Sequence, residues 1–231
     1  MIPIADDDSD RRIAPLVNYA LIAINVLVFV FLQGMGGNEK FTYAYSTVPA
    51  EILTGKDIVS GPLEPTPIPV YFTLITSMFM HGGWAHLLGN MLFLWVFGDN
   101  IENRIGHLRY LIFYLLCGII ASLTHVFISG SDSIIPSLGA SGAISGVLGG
   151  YLLLFPSRRV RVFMGRGIAA VPAFVALGLW IVFQVIAGIG VLGGTETGGV
   201  AYGAHIGGFV AGLVLIKLFD IGVGKNRVLN R

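Results

Sequence analysis

The sequence predicts an all-α membrane protein, a six-transmembrane-helix bundle with a long first external loop, and three observations carry that prediction. Of the 231 residues, 55% are hydrophobic and only 12% charged, and the mean hydropathy is +0.80. A soluble domain carries about 25% charged residues, so half that share points to lipid as the solvent. Glycine is over-represented, at 32 of 231 residues, against a usual share of about 7%. Soluble helices disfavour glycine, whereas transmembrane helices use small residues to bring their backbones close. Finally, six apolar stretches approach the roughly 20 residues that a bilayer crossing needs: 13–33, 71–98, 110–129, 137–155, 168–190 and 199–219.

The first stretch, 13–33, follows Asp6, Asp7, Asp8, Asp10, Arg11 and Arg12, an acidic start unlike that of a cleavable signal peptide. The loop after it, 34–70, holds Pro49, Pro62, Pro65, Pro67 and Pro69 and cannot be one regular helix. His81-Gly82-Gly83 interrupts the second stretch, so its true span is 84–98, starting near Trp84. Residues 70–80 are then a surface-lying or re-entrant end of the first loop. The third span contains the single cysteine, Cys117, so no disulfide framework exists. The fourth is glycine-rich, and Arg158, Arg159, Arg161 and Arg166 follow it as a topogenic cluster suited to lipid headgroups. Spans five and six complete a single domain over 1–231, with no internal repeat.

Charge orients this bundle. An even number of spans puts both termini on one side, and 12 of the 14 Lys and Arg residues fall there, leaving only Lys40 and Lys56 opposite. The positive-inside rule therefore places both termini in the cytoplasm, as in a plasma-membrane protein of a prokaryote. The small net charge of +1 argues against a nucleic-acid partner.

Polar side chains inside a span are costly and mark function or pairing. With this topology, Ser141 lies at the start of span 4, His205 near the start of span 6, and His86 and Asn90 in the first two turns of span 2. At about 1.5 Å per residue, all four lie within roughly 10 Å of the outer boundary. Taken alone, Ser141 in Gly139-Ala140-Ser141-Gly142 reads as helix packing through small residues, together with Gly146 and Gly150. His205 alone reads as a histidine bonded to a neighbouring carbonyl, and His86 and Asn90, four apart on one face, as a bridge between helices. Together they read as a site. A serine hydroxyl is a weak nucleophile that a neutral imidazole can activate, and the unpaired amides of a helix N-terminus can hold an oxyanion, with His86 and Asn90 adding donors. No acidic residue lies near in any span, so the expectation is a Ser141–His205 dyad rather than a triad. His81 and His107 are expected at interfaces and His125 as structural.

These residues resemble the rhomboid family of intramembrane serine proteases over nearly the whole chain. The matching pieces are Gly139-Ala140-Ser141-Gly142, Ala204-His205-Ile206-Gly207-Gly208 with Gly212, and His86-x-x-x-Asn90. They are joined by His81-Gly82-Gly83-Trp84 and by Glu102 with Gly106 and Arg109. The resemblance implies a fold of rhomboid type, with Ser141 as nucleophile, His205 as base, and His86 and Asn90 as oxyanion donors. Because a helical backbone hides its carbonyls in hydrogen bonds, the expected substrate is a single-pass transmembrane protein cut near its outer end, where the helix is loosened. The resemblance points to span 5 and the 191–199 loop as the elements that move to admit it. Two features depart from the family pattern. Ser145 stands where some rhomboids carry an aromatic residue stacked on the base, leaving packing, such as contacts on the Gly208 side, to orient His205. The first loop also has no tryptophan and no arginine. There is no His-Glu-x-x-His, so neither a metal nor another cofactor is expected; lipids are the other expected partners. Two rivals remain: an inactive rhomboid relative that binds membrane clients, and a small transporter.

Overall fold

The computed structural model describes residues 1–59, 63–192 and 201–222. A strand, β1 (Ile2–Ala5), precedes α1 (Leu16–Leu27), which continues as a π-helical turn over Val28–Leu32. The proline-bearing region then forms short pieces: α2 (Glu39–Ala44), α3 (Pro49–Thr54) and α4 (Thr73–Thr76), the last between 3-10 turns at Val70–Phe72 and Ser77–Phe79. The long helices are α5 (Trp84–Ile105), α6 (His107–Ser129), α7 (Ser141–Leu154), α8 (Ala173–Leu192) and α9 (Tyr202–Asp220). Strands β2 (Arg159–Phe163) and β3 (Ile168–Pro172) lie between α7 and α8. Pro62, most of the 191–199 loop, Lys225, Arg227 and Arg231 lie outside the described residues.

Helix α7 is the hub. Gly142 through Tyr151 is buried without interruption, as suits a helix that is apolar or small on every face, and α5, α6 and α9 pack around it. Among the described residues, His107–Ser129 and Tyr202–Asp220 are by themselves long and apolar enough to cross a bilayer; Leu16–Leu32, Ser141–Leu154 and Ala173–Ile189 are apolar but shorter.

Several boundaries correct the sequence reading. Helix α5 does not stop at 98 but runs to Ile105, because its polar C-terminal end finds partners within the fold. Buried Glu102 accepts hydrogen bonds from the backbone amides of Val17 (2.9 Å) and Asn18 (2.7 Å) and also pairs with His107. Helix α1 has no side-chain cap of its own, so Glu102 caps it from another helix, and its negative charge suits that helix's positive end. Helix α6 begins at His107 rather than at 110.

Residues 168–172, expected as the start of span 5, are strand β3, antiparallel to β2, which pairs with β1 on its other edge. In β2 the side chains alternate, Val160 and Val162 buried between exposed Arg159, Arg161 and Phe163. Of the arginine cluster, Arg158 is a clamp, while Arg159 and Arg161 project from the strand and, like Arg166, stand exposed. Arg158 donates to Asp10 (2.8 Å), to the Asp7 carbonyl (3.1 Å) and to Asn100. The acidic N-terminus is a strap, not a tail: Asp6 bonds Tyr151 and Asn100, and Arg11 bonds Asp8 and Asp99. Burial pushes the Asp6 carboxyl up to about 7, against the hydrogen bond from Tyr151.

Candidate active site

Ser141 is the first residue of α7, and the turn before it depends on glycine. Gly139 adopts φ +126°, and a β-carbon there would lie 2.8 Å from His86 Nε2 and 3.6 Å from Ser141 Oγ. Glycine thus meets the backbone requirement and leaves room between the two side chains. The first loop holds this turn in place. Thr47 and Ser137 exchange backbone hydrogen bonds of 3.0 and 2.8 Å, and the Gly139 amide donates to the Ser77 carbonyl at 2.9 Å. A cavity of about 20 Å³ lined by Ser77, Ser122, Ser137, Gly139 and Ser141 adjoins the hydroxyl. That is room for one water-sized group.

His205 lies in the first turn of α9, and glycines bring that helix to α7. A β-carbon on Gly208 would collide with the Gly142 carbonyl, and one on Gly212 with the Gly146 carbonyl. The helices therefore meet backbone to backbone, and His205 Nε2 lies 2.8 Å from Ser141 Oγ. Its other nitrogen, Nδ1, lies 2.6 Å from Gln184 Oε1 on α8. Trp180, also on α8, faces the imidazole at 6.0 Å between centroids and 34° between planes, and Tyr202 approaches edge-on at 6.3 Å. Ser145, which replaces the stacking aromatic of some relatives, instead donates to the Ser141 carbonyl at 2.6 Å. The His205 ring is thus oriented by an amide and rings from α8 and α9, not by contacts on the Gly208 side.

The remaining two predicted residues diverge. His86 is exposed at the mouth of the site, and its Nδ1 accepts from the Gly82 amide at 3.3 Å. That bond puts the ring hydrogen on Nε2, the atom facing Gly139. Asn90 is buried, and its amide nitrogen bonds His81 Nε2 at 3.0 Å. His81 corrects the expectation of an interfacial ring. It is wholly buried, and Gln33 accepts from its amide (2.9 Å) and donates to its carbonyl (3.0 Å). His107 has a buried partner in Glu102, and His125 bonds Ser129 of its own helix at 3.4 Å. Sequence reasoning missed Gln184, Trp180, His81 and Gln33. For Gln184 the available signal was a lone amide in an apolar span.

A helical domain with a serine and a histidine in contact across two glycine-packed helices defines a narrow class, and the comparisons with known proteins agree with it. The chain belongs to the rhomboid family: the Rhomboid domain matches residues 69–220, more than half of its length. It is 30% identical over 213 residues to "Rhomboid protein 1, mitochondrial" of Saccharomyces cerevisiae, covering 90% of this chain and 55% of that protein. It is 30% identical over 200 residues to "Rhomboid protease GluP" of Bacillus subtilis, covering 86% of this chain and 34% of that protein. It is also 34% identical over 142 residues to "RHOMBOID-like protein 4" of Arabidopsis thaliana, covering 62% of this chain and 32% of that protein. The chain thus spans from about a third to just over half the length of these relatives. As a rhomboid it is an integral membrane protein.

Proposed function

We propose that this chain is an intramembrane serine endopeptidase that cuts single-pass transmembrane proteins near their outer ends. The observation that carries this reading is the 2.8 Å contact between Ser141 Oγ and His205 Nε2. Ser141 Oγ attacks the scissile carbonyl carbon while its proton passes to His205 Nε2. The resulting oxyanion is held by the unpaired amide of Ser141 at the α7 N-terminus and by His86 Nε2–H, with the second hydrogen of the Asn90 amide as a further donor. The intermediate collapses, the C–N bond breaks, and His205 returns the proton to the leaving amine. Water then hydrolyses the acyl-enzyme with His205 again as base. A helical substrate hides its carbonyls in hydrogen bonds, so cleavage falls where glycine or other helix-weakening residues loosen it. A fluorophosphonate probe tests the chemistry: labelling lost in Ser141→Ala is expected, and labelling that persists there refutes the reading. An inactive client-binding relative has no need of a base aligned on a serine.

The six-span topology, with both termini cytoplasmic, is proposed on the charge split and on the family. Reporters fused after Arg231 and within 156–167 are expected on the cytoplasmic side, and one near Lys56 on the other. A reporter after Arg231 that reads external rules out the six-span arrangement.

A further inference from the structure

Helix α8 touches the rest of the molecule along one stripe. Leu177 and Gln184 are buried and Trp180 half-buried, whereas Leu179, Val182, Phe183, Ile186 and Ile189 stand exposed. A β-carbon on Gly188, at the end of that stripe, would lie 3.2 Å from Tyr202 Cβ, so the stripe faces α9. Gln184 is the polar member of this seat. An amide buried in an apolar contact is costly unless it is hydrogen-bonded, and its carbonyl has its partner in His205 Nδ1 at 2.6 Å.

That contact bears on the chemistry. Imidazole carries its single hydrogen on either nitrogen, and only one form serves as base toward Ser141. An amide carbonyl can only accept, so its contact with Nδ1 requires the hydrogen there and leaves the Nε2 lone pair facing the serine. We propose that Gln184 is the positioning residue of this site: it holds His205 as the Nδ1–H tautomer, ring aimed at Ser141. This inference rests on the dyad reading given above. When the Ser141 proton arrives at Nε2, both ring nitrogens carry hydrogen, and the Gln184 carbonyl dipole points at the positive ring. When the leaving amine takes that proton, the starting tautomer is restored.

Two measurements on the purified full chain test the assignment. In wild type with ¹⁵N-labelled histidine, the His205 signals are expected to show a protonated Nδ1 and a bare Nε2; a hydrogen on Nε2 overturns the proposal, whatever any variant does. In liposomes with one transmembrane substrate, Gln184→Leu is expected to lower kcat by roughly 10- to 100-fold, since small misplacements of a reacting group cost that much, with KM within about threefold. Gln184→Glu keeps an acceptor and is expected to recover most of the loss. Wild-type kcat in Gln184→Leu, or no recovery in Gln184→Glu, overturns the proposal. Ser141→Ala in the same series separates the two claims. If Ser141→Ala stays active, the dyad reading fails; if it is inactive while Gln184→Leu is unimpaired, only the role of Gln184 fails.

Discussion

Ser141→Ala and His205→Ala are each expected to lower cleavage of a transmembrane substrate by about 10⁴-fold or more, because nucleophile and base act as one unit. Without the hydroxyl no acyl-enzyme forms. Without the imidazole nothing accepts the Ser141 proton at 2.8 Å. The helpers should behave differently. His86→Ala removes one donor to the developing charge while the amide of Ser141 remains, and losing such a donor costs about 10²–10³ in turnover. Asn90→Ala should cost less, since its amide already bonds His81 at 3.0 Å and much of its part is to hold that ring. Substrate binding should change little in either helper variant, because the lost interaction strengthens in the transition state. The losses should not add in the double variant, as both groups serve one charge. Rates in liposomes, on variants shown to be folded, decide the matter. Near-normal activity in His205→Ala with none in Asn90→Ala would reverse the assignment of base and helper.

Much of this arrangement was legible because lipid imposes a simple rule on sequence. A helix facing acyl chains must be apolar, so helices such as α6 and α9 stood out, and Gly82-Gly83 marked the start of α5 at Trp84. The glycine runs around Ser141 and His205 showed where two backbones could meet. What stayed hidden depended on distant partners or on neutral groups. The alternation of Arg159-Val160-Arg161-Val162 was a strand pattern with one partner nearby, Ile168–Pro172, and one at the other end of the sequence, Ile2–Ala5, but the arginines read first as topology signals and 168–172 as the start of a span. Glu102 looked like a charge at the end of a span, yet it caps α1, 85 positions away. Gln184 bears no charge and sits 21 residues before its partner, so nothing local linked the two. His81 likewise depends on Gln33, 48 positions earlier. Hydropathy finds the faces that meet lipid; it does not pair the polar groups that turn inward.

On the proposed activity, Gly212→Val is expected to lower turnover about 100-fold or more without touching any reacting group. A β-carbon at 212 would lie 2.6 Å from the Gly146 carbonyl carbon and 2.7 Å from its α-carbon, besides meeting the carbonyl oxygen. Carbon atoms pack comfortably at about 3.5–4.0 Å, so α9 must retreat from α7 by roughly 1 Å. The obstructing atoms are backbone, so no neighbouring side chain can yield instead. The Ser141–His205 contact of 2.8 Å would then stretch beyond the roughly 3.5 Å at which a hydrogen bond ceases to count. Overpacking of this kind also destabilises by about 1–3 kcal/mol, so a folded but poorly active protein is expected. Gly212→Ala should fall in the same direction by a smaller factor. Gly178→Ala supplies the control, because a β-carbon there meets nothing within 4 Å. Fluorophosphonate labelling, substrate cleavage and thermal unfolding, measured on all three variants, separate loss of alignment from loss of fold. A folded Gly212→Val enzyme with full activity would show that close approach of these helices is not what aligns the base.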